Sequence, residues 1–74
     1  MIRPERGGEL TLREHQVAEL AAAGKAVKEI AAELGISYFT AKAHLRAIYE
    51  KLGIHDRVTL AITVIRARSV SEAA

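Results

Sequence analysis

Glu29-Ile30-Ala31-Ala32-Glu33-Leu34-Gly35-Ile36-Ser37-Tyr38-Phe39-Thr40-Ala41 is the stretch that decides the fold. It reads as the end of one helix, a turn and the start of another. Gly35 supplies the positive-φ residue that stops the first helix. Only Ile36 separates it from Ser37, whose hydroxyl can cap the first amides of the next helix. So short a link cannot lay the two helices antiparallel along their length, so they cross at a steep angle. Ala31 is small where the helices approach, and Ile30, Leu34, Ile36, Ala41 and Leu45 lock them together. These are the parts of a helix-turn-helix.

Working outward, the upstream helix of this pair spans about Ala26 to Leu34, with Val27, Ile30, Ala31 and Leu34 on one face. Its start lacks a side-chain cap, because Lys25 and Ala26 carry no side-chain oxygen. The downstream helix runs from Tyr38 to about Leu52 and is closed by Gly53. At about 100° per residue, Ala41, Leu45, Ile48 and Leu52 form an apolar seam flanked by Tyr38 and Tyr49. Phe39, Lys42, Ala43, Arg46 and Glu50 lie opposite, so the face turned away from the core joins two cations, a small residue and a ring. A helix end capped by Ser37 carries partial positive charge and suits phosphates, and the side chains that follow suit base edges in the major groove.

Before this pair, Thr11 and Glu14 have the spacing of a capping box that opens a helix through Val17, Leu20 and Ala21, ended at Gly24. After it, Asp56 can cap a fourth helix reaching about Arg68. Its apolar positions Val58, Leu60, Ala61, Ile62, Val64 and Ile65 cover an arc of roughly 200°, more than one core can bury. The expectation is an all-α, four-helix domain over residues 10–68, preceded by a linker or disordered arm (1–9) and followed by a disordered tail (69–74).

Composition agrees. A chain of 74 residues is one domain, and at this size only around 60% of the unfolded surface is buried. Its three aromatic residues, Tyr38, Phe39 and Tyr49, leave the core to Leu, Ile, Val and Ala. The absence of Cys excludes a disulfide staple and Cys-ligated zinc. Extra burial is therefore expected from a partner chain. No apolar run reaches membrane-span length, and Met1 to Glu9 is too charged for a signal peptide, which points to the cytoplasm. His15, His44 and His55 do not converge on a metal, and no nucleophile-base pair, carboxylate cleft or phosphate loop is visible, so neither cofactor nor catalysis is expected. The net charge of +2 is a weak pointer to a polyanion.

From Leu10 to about Arg68 the chain resembles the LuxR-type DNA-binding domain of the GerE, NarL and FixJ kind. This is the output domain of many bacterial response regulators and quorum-sensing regulators. The residues that carry the resemblance are Leu10-Thr11, Arg13-Glu14, Val17, Gly24, Lys28-Glu29-Ile30-Ala31, Leu34, Ile36-Ser37, Thr40, Lys42, His44-Leu45, Ile48, Lys51-Leu52-Gly53 and Arg57. They match without a gap. The resemblance implies helix three as recognition helix and a homodimer through helix four, with Val58, Ala61, Ile62 and Ile65 as the contact face, on a two-fold related site in double-stranded DNA. It places Lys42, Ala43 and Arg46 where the family approaches bases, and Ser37, Thr40, His44, Lys28 and Lys51 at backbone-contacting or framework positions.

The chain departs from the family at Ala26-Val27, where Ser-Asn is usual, at Ala41 in place of Val, at Tyr38-Phe39 in place of a polar or Pro-containing pair, and at Leu60 in place of Ala. Phe39 either packs on sugar or a thymine methyl, or folds back over Tyr38 or helix two. A sigma-factor promoter-reading domain shares the Glu-Ile-Ala to Thr core, but Lys51-Leu52-Gly53 fits the LuxR-type pattern better. From another class, the chain could be a protein-interaction module that has lost DNA binding. An N-terminal receiver domain preceding this segment is the expected regulatory input, with a free-standing small regulator as the alternative.

Overall fold

The computed structural model of the chain describes residues 10–73. Four helices follow one another: α1 (Leu12–Ala22), α2 (Val27–Leu34), α3 (Tyr38–Leu52) and α4 (Arg57–Ala73). The all-α, four-helix LuxR-type architecture is the one expected. The expected arm at residues 1–9 lies outside the described residues.

The termini form as the local chemistry requires. Thr11 caps α1 reciprocally: the Glu14 N–H donates to Thr11 Oγ1 at 3.1 Å and the Thr11 N–H donates to Glu14 Oε1 at 2.9 Å. Gly35 ends α2 with φ of 68°, and the Ile36 N–H reaches back to the Ala31 carbonyl at 3.0 Å. A Cβ at Gly35 would meet nothing within 4 Å, so it is the backbone conformation and not crowding that calls for glycine. Asp56 caps α4 by accepting the Thr59 N–H at 2.8 Å. That bond, with the Thr59 hydroxyl, holds the Asp56 carboxyl below its ordinary range despite partial desolvation.

One expectation is corrected. The fourth helix does not stop near Arg68 to leave a disordered tail; α4 continues to Ala73. Ser69-Val70-Ser71-Glu72-Ala73 contains neither Gly nor Pro, so nothing in the sequence breaks the helix.

The core joins Val17, Ala18 and Ala21 of α1, Ile30 and Ala31 of α2, Ala41, Leu45 and Ile48 of α3, and Leu60 and Val64 of α4. Packing runs through α1, which contacts α2, α3 and α4, while α2 also packs on α3. Leu60, bulkier than the family's usual residue, is wholly buried. Two polar ties hold α1 at its ends. At its start, the Lys51 ammonium at the end of α3 donates to Glu14 Oε1 at 2.7 Å. At its end, the Arg57 guanidinium donates to the Lys25 carbonyl at 2.6 Å and to the Ala21 carbonyl at 3.4 Å. A cation suits this spot, where carbonyls past the helix end lack intrahelical partners.

Glu14 is the one buried charged side chain among the described residues. Burial pushes its carboxyl up, but the Lys51 ammonium and the Thr11 N–H and hydroxyl outweigh this and hold it below its ordinary value. A depressed carboxylate stabilises the fold above the unfolded-state pKa, about 4.3, and loses that contribution as pH falls through the folded-state value. Glu14→Gln should therefore cost about 1.5–3 kcal/mol at neutral pH, the worth of charged hydrogen bonds. In thermal melts across pH 2–7 (a range of about five units, chosen to span the carboxylate titration), the gap between wild type and variant should close on the acid side. A gap constant with pH would show that the Glu14 charge contributes nothing.

Candidate nucleic-acid interface

The outward face of α3 is positioned from its N-terminus. Ser37 Oγ accepts the Thr40 N–H at 3.0 Å and donates to Thr40 Oγ1 at 2.9 Å, closing the helix start with two hydroxyls exposed beside the first free amides. Inward, Ala41, Leu45 and Ile48 are buried. With the helix held from that side, Phe39, Lys42, Ala43 and Arg46 stand exposed with no part in the core.

The cations on this face have only weak internal partners. Arg46 Nε lies 3.8 Å from Glu50 Oε2, with the two side chains 83% and 73% exposed. A pair so solvated is worth little and breaks readily for a better anion. The Lys42 ammonium sits 5.9 Å from the centre of the Tyr38 ring. Tyr38, expected beside the apolar seam, is 45% exposed, and its ring meets that of Phe39 edge-on, with centroids 5.6 Å apart and planes at 85°. Phe39 thus contacts Tyr38 while 79% of its surface stays open.

The remaining candidates divide. Lys28 is exposed in the first turn of α2, and His44 is half-buried at the edge of the α3 seam. Lys51 belongs to the framework: its ammonium is spent on Glu14, with 29% of the side chain exposed. Ala26 gives α2 no side-chain cap, as expected, but its N–H still donates to Glu29 Oε1 at 2.8 Å, so half of the usual reciprocal arrangement survives. On α4, Val58, Ile62 and Ile65 are exposed and Ala61 is half-buried, while Leu60 and Val64 face the core. The sequence reading gave Arg57 no structural role. A cation in the first turn of a helix opposes the macrodipole, and that conflict was the available sign of a specific partner.

Among the described residues no group of three or more His, Cys, Asp or Glu side chains could hold a metal ion, and no helix is long and apolar enough to cross a membrane.

Comparison with known proteins agrees with this geometry. Residues 8–64 match the family model described as bacterial regulatory proteins, luxR family. The chain belongs to the luxR family. It is a LuxR-type helix-turn-helix DNA-binding domain, in which α2 and α3 are the helix-turn-helix. The transcriptional regulatory protein UhpA of Escherichia coli (strain K12) is 58% identical over 52 residues, 70% of this chain and 26% of that protein. The probable transcriptional regulatory protein NarL of Mycobacterium tuberculosis (strain ATCC 25618 / H37Rv) is 39% identical over 59 residues, 80% of this chain and 27% of that protein. The spore germination protein GerE of Bacillus subtilis (strain 168) is 40% identical over 57 residues, 77% of each chain. The LuxR-type chain thus spans about a quarter of UhpA and NarL, but most of GerE.

The α3 cap is open to test. Ser37→Ala removes the acceptor for the Thr40 N–H and should destabilise the domain by about 1 kcal/mol, read as a lower midpoint in urea. An unchanged midpoint would show that the Ser37 cap contributes nothing to stability.

Proposed function

We propose that this domain is a transcription regulator that reads double-stranded DNA by laying the outward face of α3 in the major groove. The exposed row of Phe39, Lys42, Ala43 and Arg46 carries this reading, since the family already makes the chain a DNA-binding domain and these side chains have no structural employment. Arg46 has the planar fork that pairs with guanine N7 and O6, and Lys42 can reach a base or a phosphate. The uncapped first amides of α3 and the Thr40 hydroxyl suit one phosphate, with Ser37 holding that turn in place, and Lys28 and His44 suit the flanking backbone.

The domain acts as one half of a homodimer through α4. Val58, Ile62 and Ile65 form an uncovered apolar face on the helix whose other side completes the core. One helix pair buries less than a standard interface, so the dimer forms chiefly on a two-fold related DNA site. The segment is the C-terminal output domain of a response regulator: the UhpA and NarL relatives are about four times as long as the matched region, which leaves room for a receiver domain. A receiver would control access to α3 or the pairing of α4.

Selection from random duplexes at two salt concentrations tests the reading. Wild type should select a two-fold symmetric site, with affinity falling steeply with salt. Lys42→Ala/Arg46→Ala should lose about 1–3 kcal/mol per base contact and flatten the salt slope by about 0.9 for each phosphate contact removed. Ile62→Glu, at an exposed position, should retain half-site binding but no longer select paired half-sites. If neither wild type nor variants bind at low salt, the protein-interaction reading takes its place.

A further inference from the structure

A groove of about 470 Å³ runs beside the outward face of α3, with walls from Val27, Phe39, Ala43 and Tyr49 and with Lys42 and Arg46 also lining it. It brings together apolar side chains from two helices: Val27, at the start of α2 and half-buried, and Phe39, in the first turn of α3 and largely exposed. The two helices thus jointly present carbon on a face otherwise suited to a polyanion. The Phe39 ring is also directed by its edge-on contact with Tyr38.

An apolar wall in the major groove has few matches. The base edges there offer ring nitrogens, carbonyls and amino groups, and a polar edge against carbon loses its water without gaining a partner. The exception is the C5-methyl group of thymine. Lys42 and Arg46 in the same groove complement the phosphates or acceptor atoms that border such a methyl, so the groove is continuous with the DNA-reading face.

We infer that the groove formed by Val27 and Phe39 beside α3 takes thymine C5-methyl groups, and that this sets a preference for thymine at one or two positions of each half-site. The inference rests on the duplex-DNA reading above. Ala43 alone would give only a small, local contact; the larger walls from two helices are what this chain adds.

The test uses the selected duplex, replacing each thymine in turn by deoxyuridine, which deletes the methyl and leaves the hydrogen-bonding edges intact. Wild type, Phe39→Ala and Val27→Ser are compared by competition titration, with circular dichroism as the check on folding. Burial of one methyl corresponds to about a fourfold change in affinity. Wild type should therefore bind about fourfold more weakly when the critical thymine becomes uracil, and in Phe39→Ala the thymine-to-uracil ratio should fall to about one. Full tolerance of uracil by a wild type that still binds its site, or a selected site without thymine, overturns the inference and leaves the DNA reading standing. A uracil penalty that survives in both variants also overturns it, because the methyl then sits on Ala43 alone. If wild type binds no duplex, the DNA reading fails and this inference with it.

Discussion

The ties at the two ends of α1 are the constraint on which the rest of the domain depends. A chain of this size, without disulfide or metal, has little apolar area to spare. Its helices are joined by short links that fix neighbours but not long-range placement. Lys51 reaches from the end of α3 to Glu14 at the start of α1, and Arg57 reaches from the start of α4 to the carbonyls at the end of α1. Both contacts bind charge to a group that would otherwise be buried or orphaned. They therefore punish a wrong arrangement more than they reward the right one. Once α1 is pinned, the inner seam of α3 and one face of α4 have a single place to go.

That arrangement leaves the outer face of α3 without structural duty. Ala41, Leu45 and Ile48 hold the helix, and Ser37 closes its start within its own turn. The outward side chains can thus vary without loss of fold. The same separation explains how the Ala26-Val27 and Tyr38-Phe39 departures are tolerated. Ala26 forgoes a side-chain cap, but Glu29 still accepts its N–H, and Phe39 is largely open to solvent with its ring edge-on to that of Tyr38.

Local chemistry was the legible part of the sequence. The capping box at Thr11, the glycines at 35 and 53, the caps at Ser37 and Asp56 and the helical periodicities all act within a few residues, and each is found where the sequence places it. The outward set on α3 was legible for the same reason, since a wheel depends on the helix alone. The Glu14–Lys51 and Arg57 ties were not legible, because they join residues more than thirty apart whose approach is decided by the packing itself. The same holds for the groove beside α3. Val27 reads as an inward residue of α2 and is half-buried, yet one side of it meets the recognition face. The end of α4 was misread for a different reason: Ser69 and Ser71 do not favour a helix, but nothing between Arg68 and Ala73 stops one already begun.

The width of the apolar arc on α4 follows from this economy. Leu60 and Val64 close the core against α1, while Val58, Ile62 and Ile65 remain open on the other side. A surface helix serving only the core would carry polar residues there at no cost to stability, and exposed apolar clusters invite association. The helix that completes the fold is thus also the one suited to pair with another copy. Arg57 fixes the start of α4 to the end of α1, and α1 packs on α3. In the proposed dimer, the spacing between two copies of α3 would then be set by how two copies of α4 meet, with no flexible joint between contact and readout.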